Sequence, residues 1–376
     1  MQRVDHPLLS PSLGVHKTLT SFHFGQAGAE PKFYIQASLH AEELPGMLVA
    51  YHLRSLLEAA EAAGTIGGEI ILVPVANPIG LAQRVDHKVM GRFELETSEN
   101  FNRNYPDLAK AMTPAVRDQL GSDGITNVRL VRKAIGEFLQ GWKPQTELQS
   151  LRRTLLTLSH DADRMIDLHC DCEAVMHFYT EVPCWPALES LARLLGSEAI
   201  LLAKNSGGGA IDECLSGVWW QLAEALAAQG HPVPIPQGCC STTVELRGEG
   251  DVAHAWAKED ANAILSFLQL EGAISCAPPP IVPPLKCSPT PLAGSETLKA
   301  ATPGIIVFAA QVGDRMDVGD LVAEIIDPIA HTTQRITAGV AGVLYARVRE
   351  RYAVAGAELG KIAGAKSFRT GDLLGA

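Results

Sequence analysis

Four short stretches carry residues whose types and spacing can do chemistry. In "ASLHAEELPG", His40 and Glu43 stand three apart where an apolar run hands over to a stretch of helical spacing. On a tight turn both side chains can converge on one ion. In "IDLHCD", His169 ends an apolar run, the usual way a sheet delivers a ligand. A zinc hydrolase uses about three such His and carboxylate ligands and leaves one position open. Taken singly, each stretch also fits a blander reading: an acid at a helix start beside a solvated histidine, or a satisfied histidine at a strand end.

The third stretch, "ENFNRNYPD", offers Asn102 and Arg103, and a guanidinium fork suits recognition of a carboxylate. Arg92, in "MGRFE", is a second cation nearby. The fourth, "TTVELRG", puts Glu245 inside an apolar strand, where a carboxylate must be paired or functional. A carboxylate beside an activated water is the standard general base. Glu42 reads as a charge at a helix N-terminus. Asp167 and Asp171 read as outer acceptors for the histidine. Cys170 alternates away from His169 along the strand and is not counted as a ligand.

The elements that must position these groups are legible. Up to about residue 275, short β-rich runs such as "KFYIQASL", "GEIILVPVAN", "DRMIDLHC", "AILLAK" and "STTVELRG" alternate with helical stretches. The helical ones include 47–63, 129–139 and 214–229. That alternation predicts an α/β fold with a mainly parallel sheet flanked by helices. Active sites of such sheets gather at the carboxyl ends of strands, where "SLH", "VAN", "DLH" and "TVELR" all fall. The organisation expected is residues 1–275 as the chemistry-bearing domain, 276–300 as a proline-rich linker, and 301–376 as a β-rich domain. Within the last part, "GIIVFAAQVGDRMDVGDLVAEI" and "GVLYARVRERYAVAGAELGKI" echo each other. The pair resembles the barrel-sandwich fold of lipoyl and biotinyl domains. The hairpin between them lacks the lysine that a carrier would modify, which argues against a carrier role.

Composition narrows the function classes. The chain has 376 residues, 47% hydrophobic and 19% charged, with a formal net charge of −11. An acidic chain without a basic run is a poor partner for nucleic acid or an anionic membrane surface. The N-terminal residues lack an apolar signal core, and no window has the run of apolar residues a membrane span needs. The eight cysteines form no CxxC pair, which fits reduced thiols and a cytoplasmic location. The glycine run "SGGGAIDE" lacks the Lys-Ser/Thr of a phosphate loop and reads as a close-approach loop, with Asp212 and Glu213 as pocket residues.

In this order and spacing, H-x-x-E, N-R-N-aromatic, D-L-H and E-L-R resemble the zinc carboxypeptidase superfamily. "NPIG" at Asn77, "GGGAIDE" and the β-rich C-terminal part are similar to its succinylglutamate desuccinylase/aspartoacylase branch. The resemblance covers nearly the whole chain. It implies one zinc per chain bound by His40, Glu43 and His169, and Glu245 as general base and acid. It implies Asn102 and Arg103 on the substrate carboxylate, and Arg92 polarising the scissile carbonyl. The activity implied is deacylation of an N-acyl amino acid, with cleavage of short peptides at the C-terminus as the alternative. Two departures stand out. Asn100 occupies a place where carboxypeptidases usually have an Asp that orients the first histidine. No tyrosine lies between Glu213 and Val244, so Tyr345 or Tyr352 of the C-terminal part is the candidate to reach over. The acyl group, the amino acid and whether the chain forms a homo-oligomer are left open at this level.

Overall fold

A computed structural model describes residues 1–375. Its centre is a nine-stranded mixed sheet. In spatial order the strands are Gln2–Pro7, Thr18–Phe24, Glu69–Val73, Lys32–Ala37, Arg164–Asp171, Cys240–Gly248, His177–Glu181, Ala199–Ala203 and Thr290–Pro291. The strands from Glu69–Val73 to Cys240–Gly248 run parallel. His177–Glu181 is inserted antiparallel to Cys240–Gly248 and parallel to Ala199–Ala203. The expected mainly parallel sheet flanked by helices is therefore present. An antiparallel N-terminal hairpin, absent from the sequence reading, extends its edge.

Side-chain alternation along the strands sends apolar groups to both faces, as a sheet covered on both sides requires. Tyr34 and Met165 join one core with Ile135, Leu155 and Trp219 of the helices Gly124–Gly141, Glu147–Ser159 and Ile211–Ala228. Phe33, Ile35, Ile166 and Leu168 join the opposite core with Leu53, Leu191 and Phe267 of Pro45–Ala62, Trp185–Leu195 and His254–Leu270. Helix starts follow local chemistry. Asp107 and Thr146 accept hydrogen bonds from Lys110 and Gln149 backbone N–H groups, and Pro45 opens its helix. No helix among the described residues is long and apolar enough to cross a membrane.

From Ser295 on, the chain forms two antiparallel sheets. One orders Ser295–Lys299, Glu358–Gly364, Gly342–Arg347 and Arg315–Met316; the other orders Thr332–Thr337, Leu321–Asp327, Gly304–Phe308 and Tyr352–Ala353. The two echoing segments thus exchange their short strands across the pair. Their shared core holds Leu298, Val322, Ile325, Leu344 and Ile362. Glu173–Ala174, just past His169, pairs antiparallel with Gly342–Arg347, so these sheets are tied to the rim of the large one.

Candidate metal centre and active site

The loop between Lys32–Ala37 and Pro45–Ala62 is folded back on itself. Ser38 takes φ +58°, a conformation that branched side chains avoid, and its hydroxyl donates to the Glu43 carbonyl at 2.8 Å. Asn77, from "NPIG", donates to the Leu39 carbonyl at 2.9 Å while its own oxygen caps the next helix. Gly91 lies against this loop so closely that a Cβ there would stand 2.7 Å from the Ala41 nitrogen. The loop is pinned from three directions, which fixes His40 and Glu43.

His169 comes from the carboxyl end of Arg164–Asp171, directly beside Glu245 in the parallel register. The ligand atoms of His40, Glu43 and His169 lie within 4.8 Å of one another, and all three residues are buried. His40 Nδ1 is 2.9 Å from Glu43 Oε1, and His169 Nδ1 is 2.8 Å from Glu43 Oε2. The outer ring nitrogens face acceptors. His40 Nε2 is 2.9 Å from Asn100 Oδ1, and His169 Nε2 is 3.0 Å from Asp167 Oδ2. The Asn102 N–H also donates to Asn100 Oδ1, so that oxygen is the atom turned toward His40. With an ion held on the Nδ1 side beside Glu43, the Asn100 and Asp167 oxygens would take the remaining proton of each ring. Two imidazole nitrogens and a carboxylate suit a borderline divalent ion.

Electrostatics separate the two histidines. Burial, helped by the Arg92 guanidinium, lowers His40 to about 4, so its imidazole is neutral at physiological pH. Burial opposes charge on His169 as well, but the flanking Asp167 and Glu43 carboxylates hold it well above the ordinary value. Burial and then the Glu43 carboxylate push Glu245 up to about 8. Glu245 Oε2 has no hydrogen-bond partner. A register shift follows Glu245 in its strand, the local bulge often found where a side chain must be re-aimed.

Arg92 reaches Glu43 Oε1 at 2.9 Å and stands 3.9 Å from Glu42 Oε1. Glu42 is not the helix-start charge expected of it. It lies two residues ahead of the N-cap Leu44, and the helix has no acid in its first turn. The tight turn faces Glu42 toward Arg92 instead, and burial raises it to about 7. Asn102 accepts from the Ile211 N–H at 3.0 Å, joining its loop to the start of Ile211–Ala228. The glycine loop pairs with the Arg103 loop through Asn104 N–H to Gly208 and Tyr105 N–H to Gly209. Arg103 donates to the Asn102 and Gly375 carbonyls at 2.8 and 2.6 Å.

These groups line one cavity of about 340 Å³, holding His40, His169, Glu245, Arg92, Asn102 and Arg103. Glu43 lies beneath it, reached through the two histidines. The C-terminal part supplies the opposite wall, including Tyr345, Lys361 and Leu373. Tyr345 is buried, its hydroxyl 2.8 Å from Ser295 Oγ, whereas Tyr352 is 64% exposed and lines no part of the cavity. Lys361 Nζ meets Asp171 Oδ2 at 2.8 Å, so Asp171 serves the lysine and Asp167 serves His169. Sequence reasoning passed over Lys361 and Glu181. A lysine in the strand "ELGKI" and an acid closing "HFYTE" were the available signals.

Residues 29–122 match the succinylglutamate desuccinylase/aspartoacylase catalytic domain. A crystal structure of a candidate succinylglutamate desuccinylase/aspartoacylase from Shewanella frigidimarina NCIMB 400 superposes with a TM-score of 0.82 at 27% identity, covering 96% of this chain and 97% of that one. A family protein from Shewanella amazonensis SB2B gives 0.81 at 27%, covering 96% and 98%. The product-bound ectoine utilization protein EutE (DoeB) from Ruegeria pomeroyi shares the fold alone, with a TM-score of 0.64 at 14% identity over 96% and 93%. No curated protein matches the chain.

Proposed function

We propose that the chain, whose residues 29–122 match the succinylglutamate desuccinylase/aspartoacylase catalytic domain and whose fold superposes on two proteins described as of that family, is a zinc-dependent amide hydrolase that removes the acyl group from an N-acyl amino acid. The observation that carries this reading is the buried meeting of His40, Glu43 and His169 under a cavity that also holds Glu245. In this reading those three residues hold the ion, with Asn100 and Asp167 fixing the two rings. Zinc there supplies a Lewis acid that polarises the amide carbonyl and lowers the pKa of water. Glu245 takes a proton from the attacking water at its unpartnered oxygen and returns it to the leaving amine. A carboxyl raised by burial is suited to both halves of that transfer. Arg92 steadies the carbonyl oxygen as negative charge develops there. Asn102 and Arg103 hold the amino-acid carboxylate, which takes the place of the Gly375 carbonyl on the guanidinium.

Residues 1–275 act as the hydrolase domain and 301–376 as the β-rich part that narrows the pocket; the 276–300 connector is itself built in, with Thr290–Pro291 on the edge of the large sheet and Ser295–Lys299 in a C-terminal sheet. A cavity of about 340 Å³ is at the small end for ligand sites and favours a small acylated amino acid over a peptide. The eight free cysteines accord with a reducing, cytoplasmic setting. Metal analysis of the purified protein, with N-acetyl amino acids, N-succinyl amino acids and short peptides offered as substrates, tests the reading. One zinc per chain and release of free amino acid is the expected result. Cleavage of peptides alone moves the protein to the carboxypeptidase side, and absence of zinc after reconstitution removes the central inference.

A further inference from the structure

Beyond the metal centre the cavity runs along the sheet to a group of carboxylates that the proposed chemistry does not use. Glu181 ends the inserted strand His177–Glu181 and lines the cavity with Asp212 and Glu213 of the first turn of Ile211–Ala228. The two helix acids have local explanations. They complement the helix N-terminus, and they accept from Thr243 Oγ1 at 3.0 Å and the Ser206 N–H at 2.6 Å. Glu181 does not. It is 4% exposed, Oε1 accepts from Trp220 Nε1 at 2.9 Å, and Oε2 has no partner. Arg103 lies near enough for Asp212 and Glu213 to feel its charge, yet forms an ion pair with neither. A buried, half-satisfied carboxylate beside two more is costly to ionise unless a cation arrives, and without one it keeps its proton.

Register places this group relative to the chemistry. Glu245 pairs with His177, and Glu181 lies four residues farther along the same strand on the same face. Four residues of strand span about 13 Å. Arg103 lies beside the glycine loop, close enough to feel Arg92 on the metal side and Asp212 and Glu213 on the other. A ligand filling this length would present its amide to Glu245, its carboxylate to Arg103 and a distal positive group to Glu181.

We propose that Glu181, with Asp212 and Glu213, forms a subsite for the cationic end of a long side chain, so that the substrates are N-acyl derivatives of basic amino acids. This rests on the deacylase reading and narrows it.

The test compares cations with neutral isosteres on the zinc-loaded protein. Hydrolysis of Nα-acetyl-L-arginine against Nα-acetyl-L-citrulline, and of Nα-acetyl-L-lysine against Nα-acetyl-L-norleucine, is measured alongside calorimetric binding of free L-arginine and L-citrulline. The expected result is a preference for the cation of at least about tenfold in both readouts, the scale of a charged hydrogen bond. That preference should shrink toward unity in Glu181→Gln and fall in part in Glu213→Gln. The two pairs also tell a guanidinium site from an ammonium site. Equal handling of cation and isostere by the wild-type protein overturns the subsite, as does a preference that survives Glu181→Gln in a folded variant. Should Glu181→Gln not fold, the wild-type comparison and Glu213→Gln decide. Arginine binding that depends on Glu181 without any hydrolysis would uphold the subsite and remove the deacylase reading. Hydrolysis indifferent to charge would do the reverse.

Discussion

In the proposed reaction Glu245 has two demands to meet, accepting a proton at one moment and giving it back at another, and a shifted carboxyl suits both. Burial and the neighbouring Glu43 bring it to about 8, close to working pH. Glu245→Gln keeps the shape and the hydrogen-bonding capacity but cannot carry a proton. It is expected to lower kcat by about 10²–10⁴-fold while zinc content stays at one per chain, read by steady-state kinetics with metal analysis. Glu181 offers a prediction in stability. Burial raises its carboxyl from an ordinary 4.5 to about 8, opposed by the nearby Ser216 hydroxyl and the Trp220 hydrogen bond and helped by Glu213 and Asp212. Between those values the folded chain keeps a proton that the unfolded chain has released, so stability falls as pH rises through the window. Below it there is no penalty, and above it the penalty is constant. Against Glu181→Gln, the wild-type protein should lose on the order of 2 kcal/mol between pH 5 and pH 9. Denaturant titrations of both proteins across that range would show it; parallel curves would count against a buried neutral Glu181.

In the proposed reading, substrate holding depends on the glycine loop that packs against Arg103. Gly208 takes φ +80°, and a Cβ there would stand 2.8 Å from Arg103 Cδ. Both facts argue that the loop needs glycine at this position, for its backbone and for the room it leaves the guanidinium. Gly208→Ala is expected to cost about 1 kcal/mol of stability and to raise KM more than it lowers kcat. An unchanged KM would mean that Arg103 does not hold the substrate. Three of the longer helices and five strands of the large sheet were legible from periodicity, because each carries its own apolar face. The N-terminal hairpin and the His177–Glu181 strand were not. Five residues with no distinctive pattern become a strand only because two neighbours offer them hydrogen bonds.

Across the whole molecule, the cavity exists because two parts of the chain close on each other. Arg347 and Arg351 pair with Glu173, and Lys361 with Asp171, across that boundary. Lys361 and Asp171 are part-buried, with side chains 31% and 19% exposed, so solvent moderates the pair. Lys361→Met leaves Asp171 without its partner and is expected to cost about 1–2 kcal/mol, most of it recovered in the double variant with Asp171→Asn. Equal loss in the single and double variants would show that the packing of Lys361 matters and its charge does not. The ion-binding constellation was legible in the sequence because strand ends and tight turns place His40, Glu43 and His169 by local rules that spacing records. The loop bearing Asn100, Asn102 and Arg103 was legible for the same reason. The far wall and floor of the cavity were decided by the tertiary structure alone. Tyr345, Lys361 and Glu181 lie in separate strands with no common motif, and they become one surface only when sheets distant in sequence pack together. Charge in that surface is set by burial and by neighbours, neither of which a linear spacing can record.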